Sequence, residues 1–351
     1  MLKKLLVSLL SALLCMTVAA ESESKYSIEQ NNPDNNNITI EDNSYVFVSP
    51  FIYQISDGKA TMENCRLYDK LDSVIIPSEI RVLEHVYPVT NIRHKAFVHY
   101  SNGLTSINVS NDNPYYSSDE GILYDKNKTV LICAPKGKKG DIKIPSGVTR
   151  IEGSAFRYCR YVKNIMISSN VTSIGEWAFS GCYSLTSVNI PSSVTSIGKC
   201  AFMWCTSLTS VEISFGLTSI GESVFNGCSS LTSISIPSSV RSIGDGAFKD
   251  CFGLTSIEIP SSVISIGDGA FSDCRALTSI SIPSSVISIG DGAFSDCNAL
   301  TSIDIPSSVT SIGENAFDGC ENLEIVIDNT KENVMVGKDA FDGCKSVKYL
   351  K

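Results

Sequence analysis

The chain is poor in the groups that most enzyme and cofactor chemistry requires. Its three histidines, His85, His94 and His99, all lie near the N-terminus, and none falls in a nucleophile or metal-ligand motif. The thirteen cysteines include no Cys-x-x-Cys pair, so no thiolate cluster is suggested for a metal. Basic residues are outnumbered, 28 against 37 acidic, and the formal charge of −9 does not supply the basic face that a nucleic acid demands. There is no phosphate-binding glycine loop and no paired-carboxylate signature beyond what the repeat described below explains. No apolar run after residue 18 reaches the roughly 20 residues of a membrane-spanning helix. These absences lead to the expectation of a protein without catalytic residues, cofactor or metal, and with no nucleic-acid partner.

What is present begins with a leader. Lys3 and Lys4 precede an apolar stretch from Leu5 to Val18, then Ala19 and Ala20, then Glu21. A charged start, a short apolar segment and a small-residue exit describe a secretory signal peptide over residues 1–20, cut after Ala20. Cys15 would suit a lipoprotein signal, but Leu14 stands where that signal wants a small residue.

The rest is dominated by a period of 23. Phe156, Phe179, Phe202, Phe225, Phe248, Phe271, Phe294 and Phe317 recur at that spacing, and Phe341 follows at 24. A cysteine stands three residues after each: Cys159, Cys182, Cys205, Cys228, Cys251, Cys274, Cys297, Cys320 and Cys344. Six units from Leu185 to Asn322 keep this length without insertion or deletion. Such periodicity marks units that cannot bury their apolar face alone and must stack.

Within the unit Leu277 to Ala299, the alternation around Ile280 predicts a short strand ended by Pro283, which has no N–H for a ladder. Val286 to Ile289 predicts a second extended stretch. Ala293, Phe294 and Cys297 then fall at the spacing of one helical turn, with Asp291 placed to cap it. The expected fold is therefore an α/β repeat, a solenoid of 23-residue coils built from short strands and short helical turns, stacked about 4.8 Å apart.

The organisation read along the chain is a signal peptide over 1–20, a disordered polar leader over 21–43 and a β-rich N-terminal cap over 44–70. Irregular repeats with a hairpin insertion follow over 71–138, with strands expected at Gly121 to Asp125 and Thr129 to Cys133. The regular array occupies 139–351. The stretch from Leu71 to Gly103 reads as one longer coil. Val347 to Lys351 reads as the start of a coil left open, an edge through which self-association is possible.

The unit Leu-x-x-Ile-x-Ile-Pro-x-x-Val-x-x-Ile-Gly-x-x-Ala-Phe-x-x-Cys resembles the BspA-like leucine-rich repeat of bacterial and some parasite surface proteins, over roughly Leu71 to Lys351. The resemblance implies a leucine-rich-repeat solenoid, exported and displayed at the cell surface. It also implies an adhesin that binds extracellular-matrix proteins, host cells or other microbes. The alternative function is a structural, self-associating envelope protein without an adhesive role.

Two surfaces compete as the candidate binding site. The strand face carries Thr-Ser pairs from Thr186-Ser187 to Thr301-Ser302, and beside them a mixed row of Asn189, Glu212, Ser235, Glu258, Ser281 and Asp304. The irregular region offers Tyr115, Tyr116, Tyr124 and the basic segment Lys136 to Lys139. The phenylalanine row, Phe179, Phe202, Phe248, Phe271 and Phe294 among them, reads as core. The cysteine row, including Cys182, Cys205, Cys251, Cys274 and Cys297, reads as buried free thiols. Side chains stacked in one direction leave Cβ atoms a coil spacing apart, too far for disulfides. Trp177 and Trp204 occupy positions filled elsewhere by small or polar residues, and are read as local packing or a binding patch. The aspartate columns Asp245, Asp268, Asp291 and Asp250, Asp273, Asp296 read as a solvated acidic face.

Overall fold

The computed structural model describes residues 45–65, 71–93, 96–97 and 103–351. The expected signal peptide and polar leader lie outside the described residues. The chain divides into two compact units, one formed by residues 45–65 and 79–96 and the other by 71–78 and 97–351.

The first unit is a small sheet. Strands Tyr45–Val48, Phe51–Ser56 and Lys59–Cys65 form an antiparallel meander. Residues 79–92, assigned by the sequence reading to a longer first coil, instead make the antiparallel pair Glu79–Val82 and His85–Ile92. The second strand of this pair adds in parallel to Lys59–Cys65.

The second unit is the repeat, and its strands are parallel and in register. On one side Lys139–Lys143, Tyr161–Met166, Ser187–Ile190 and Ser210–Ile213 form one sheet, and Ser302–Ile305, Glu324–Ile327 and Ser346–Tyr349 form another. On the other side, two-residue strands from Ser219–Ile220 to Met335–Val336 form a six-stranded ladder. Its counterpart in the earlier coils ends in the antiparallel strands Val130–Cys133, Ile122–Asp125 and Tyr116–Asp119. Alternation along each face strand puts Val188, Ile190, Val211 and Ile213 inside and their neighbours outside.

The expected helical turns are not there. The segment around Phe294 is a chain of turns, because its backbone donors go in two directions. The N–H groups of Gly292, Phe294 and Asp296 donate to Glu314, Ala316 and Asp318 on the next coil, at 2.7 to 2.8 Å. Those of Ala293, Ser295 and Cys297 donate within the coil to the residue three before. A helix would point every donor along its own axis to residue i−4. Gly292 and Asp296 hold φ of 58° and 61°, the left-handed region, and this interrupts any run of helical dihedrals. The i, i+1, i+4 burial of Ala293, Phe294 and Cys297 matches one helical face, yet inter-coil bonding takes the place of the helix. Asp291 likewise caps no turn of its own coil: its Oδ1 accepts the Glu314 N–H of the next, at 2.7 Å.

The core is a set of columns. Phenylalanine rings from Phe156 to Phe317 stack nearly parallel at interplanar angles of 7° to 17°, with centroids 5.0 to 5.6 Å apart. That separation between near-parallel rings is the offset arrangement that aromatic quadrupoles favour. It also matches the strand spacing, so side-chain stacking and backbone ladder share one period.

Coils approach so closely that side-chain size is dictated at particular points. A Cβ on Gly290 would lie 2.4 Å from Asp268 Oδ1 and 2.6 Å from the Asp268 nitrogen. A Cβ on Gly292 would meet nothing nearer than 3.9 Å, and its equivalent in the next coil is Asn315 at φ 52°. Gly290→Ala is expected to destabilise by about 3 kcal/mol through backbone displacement. Gly292→Asn should cost under about 1 kcal/mol, since Asn tolerates the left-handed region. Urea unfolding of the two variants checks both, and equal shifts of the midpoint would contradict the close-approach account.

Candidate binding surface

The residues of the mixed row are all solvent-exposed. Strand register aligns Lys143 with Met166, Met166 with Asn189, Asn189 with Glu212, Ser235 with Glu258, and Glu258 with Ser281. Asp304 aligns with Val326 and Val326 with Lys348. The column therefore begins at Lys143 and Met166, two residues the sequence reading passed over because their units lack the standard proline or leucine. Its middle is acidic at Glu212, Glu258 and Asp304, where no ion pair among the described residues engages the carboxylates.

The threonine row beside it is less available than the sequence suggests. Thr186, Thr209, Thr255 and Thr278 each donate the backbone N–H to the carbonyl of the residue one coil earlier, at 2.9 to 3.1 Å. Their hydroxyls donate to the same carbonyls at 3.1 to 3.3 Å. These hydroxyls stitch coils together instead of facing a ligand. Sequence alone shows an exposed hydroxyl, and only register reveals a carbonyl one coil back within reach.

The tyrosines lie elsewhere. Tyr115 and Tyr116 are at the head of the antiparallel strands on the opposite sheet, so they do not share a surface with the mixed row. Buried Asn113 holds them in place, accepting both their N–H groups at 2.9 Å and donating to Pro77 O at 2.8 Å. Tyr124 leaves the candidate list because it is buried, and burial raises the pKa of its phenol. Within the basic segment Lys136 is buried as well, and desolvation lowers its pKa.

The columns on the outer turns have structural roles. Asp245 and Asp268 accept the N–H of Asp268 and Asp291 at 3.0 and 2.8 Å, so this column is an inter-coil bond row. Trp204 is in the left-handed region at φ 59° and packs on the position one coil later, Gly227, where a Cβ would come within 2.3 Å of the indole. Tyr158 packs on Gly181 in the same way. At these two points a large side chain in one coil is matched by glycine in the next.

Among the described residues the cysteines are free, and all but Cys344 are buried. From Cys182 onward each ladder thiol donates to the carbonyl of a phenylalanine on the preceding coil, as Cys297 Sγ does to Phe271 O at 3.2 Å, whereas Cys159 Sγ donates to Ala134 O and Pro135 O. Burial pushes these thiols well above their ordinary pKa, with neighbouring thiols adding to the effect. Cys133 and Cys320 are raised to about 12, and half-buried Cys344 to about 11.

With this geometry in place, the comparisons decide the family. A family model for the BspA type leucine rich repeat region matches residues 136–255 and 241–351, in six copies. The chain belongs to this family. Among solved structures it is similar to a leucine-rich repeat protein from Eubacterium ventriosum, at 32% identity and a TM-score of 0.59, over 64% of this chain and 58% of that one. It therefore spans little more than half of the Eubacterium protein's length. It shares its fold with a leucine rich cell surface protein from Faecalibacterium prausnitzii, at 23% identity and a TM-score of 0.51, over 89% and 96% of the two chains. It shares it also with the pneumococcal vaccine antigen PcpA, at 18% identity and a TM-score of 0.52, over 88% of each. None of the curated proteins matches the chain.

The thiol ladder makes this family member alkali-sensitive. In the unfolded chain thiols lose their protons near pH 8.5, while the folded state holds them to higher pH. Above about pH 8.5 the unfolded state therefore binds fewer protons, and stability falls as pH rises, by about 1.4 kcal/mol per pH unit for each buried thiol. Urea midpoints should drop steeply between pH 9 and 10.5. The double variant Cys274→Ala/Cys297→Ala should be less stable at pH 7 but show a shallower decline. A slope unchanged by that variant would contradict the assignment.

Proposed function

We propose that the protein is exported by the segment 1–20, displayed at a cell surface, and binds other proteins noncovalently as an adhesin. The observation that carries this reading is the mixed column on the strand face. Coil stacking fixes its positions in space while its residue types vary: Asn189, Glu212, Ser235, Glu258, Ser281, Asp304. Scaffold positions repeat because packing demands it, and a row that varies on a rigid face is where partner choice resides. The Faecalibacterium structure of similar fold is that of a cell surface protein, and the pneumococcal one is a vaccine antigen, which agrees with display. No helix among the described residues is long and apolar enough to cross a membrane.

The alternation of carboxylate and hydroxyl groups suits a partner presenting basic and amide groups at similar spacing. Carboxylates on an open face contribute to encounter rate and specificity more than to affinity. Immobilised matrix proteins and cell-surface preparations provide the test. Saturable binding is expected, weakened at least tenfold by Glu212→Lys/Glu258→Lys/Asp304→Lys and reduced by salt. Absence of saturable binding to any matrix protein or cell surface, or binding indifferent to the triple variant, would contradict the reading.

A further inference from the structure

A second patch, which takes in the start of the strand face at Lys139 and Lys143 and extends onto the turns at Arg157 and Arg160, carries the opposite charge. Residues 136–163 hold eight lysines and arginines against Asp141 and Glu152, while residues 164–351 hold nine against nineteen acids. The chain is acidic, so this is a confined basic island.

Its cations are held in an unusual way. Arg157 lies over the rings of Tyr158 and Trp177, with its guanidinium carbon 5.1 and 4.6 Å from their centroids. Arg160 lies over Tyr183 at 5.6 Å, and Lys139 over Tyr161 at 5.7 Å. None of the three has a carboxylate of the described residues within ion-pair distance, although Arg150 on the same coil pairs with Glu152, at 2.5 Å. Arg157 Nε is out of water and without a hydrogen-bond partner. An aromatic face attracts a cation but does not cancel its charge. Pairing with carboxylates would neutralise this island, whereas the rings fix its cations in place and leave them able to bind an anion.

We infer that this cation-on-ring cluster, centred on Lys139, Arg157 and Arg160, binds a sulfated polysaccharide. Guanidinium groups match tetrahedral and planar oxyanions through paired N–H donors. Register sets Lys139 opposite Tyr161, the residue after Arg160, and Arg157 stands three residues before Arg160, so neighbouring sulfates on one chain can reach the cluster.

Other polyanions fit less well. An acidic peptide adding as a strand needs free backbone donors, but the N–H groups from Ala155 to Cys159 are all bonded within the protein. Single-stranded nucleic acid relies on bases stacking on open aromatic faces, and these rings already carry cations. A long polyphosphate would also run onto the acidic coils that follow. A sulfated chain presents separate oxyanions on flexible sugar rings, so a few units can occupy the island alone.

The test uses the full chain and a fluorescent heparin hexasaccharide, with anisotropy read at several salt concentrations. Binding is expected despite the negative net charge of the protein. Lys139→Gln/Arg160→Gln, both at exposed positions, should weaken it at least tenfold with thermal unfolding unchanged. The slope of log affinity against log salt should fall by about 1.5, the share of two cations. Arg157→Gln should weaken binding as well, while Lys199→Gln, outside the island and paired with Glu222, should leave it as it was. No binding by the wild-type chain, equal binding by the double variant, equal binding of a desulfated hexasaccharide, or tighter binding of a single-stranded oligonucleotide or polyglutamate of matched charge would each overturn the assignment. Because the measurement involves no protein partner, its failure is separate from failure of the adhesin reading.

Discussion

The structure depends on one constraint: backbone donors on the outer turns must reach across to the next coil. The N–H groups of Gly292, Phe294 and Asp296 do so, and their equivalents do so in coil after coil. Alternate donors are thereby unavailable for helix formation, and left-handed dihedrals recur at two points in each turn region. Close approach follows, and with it the glycine at 290 and the carboxylate bonds of Asp268 and Asp291. The phenylalanine stack and the thiol-to-carbonyl contacts fill what space remains. A residue in this protein is explained mainly by its partner 22 to 27 positions away and much less by its neighbours in sequence.

That dependence explains what could be read without coordinates. The period of 23, the inward Leu, Ile, Val, Phe and Cys positions, and the strand stopped by Pro283 are local or strictly periodic facts, and they carry the family. The turn region misled because Ala293, Phe294 and Cys297 show the same burial spacing in a helical turn and in a chain of turns stacked coil on coil. The threonine hydroxyls misled for a related reason, since their acceptors lie on another coil. Tyr124 looked like a surface aromatic in an irregular stretch and proved to be core, because Ile122–Asp125 is an internal strand between two others.

The candidate surfaces differ in legibility too. Every member of the mixed row was visible as the variable position of a repeat, although its first members, Lys143 and Met166, were hidden by irregular coils. The basic island was legible only as Lys136 to Lys139. Arg157 and Arg160 sit at repeat positions occupied in other coils by Ser180, Met203, Tyr183 or Thr206, so each looked like an isolated substitution. A running count of charge would have exposed the island, but three of its aromatic supports, Tyr161, Trp177 and Tyr183, come from the neighbouring coil and required the fold.

The pairing of a bulky residue with glycine one coil later has a consequence for how this array can change length. Between Leu231 and Ala299 consecutive units present the same aspartate at the left-handed position, so a duplicated or lost unit finds a neighbour it already fits. Earlier, Tyr158 needs Gly181 and Trp204 needs Gly227. Removing the coil that holds Gly227 would set Trp204 against Asp250 and its Cβ. Unequal recombination can therefore extend or shorten the uniform block freely, while the aromatic coils are inherited in fixed order, as couples.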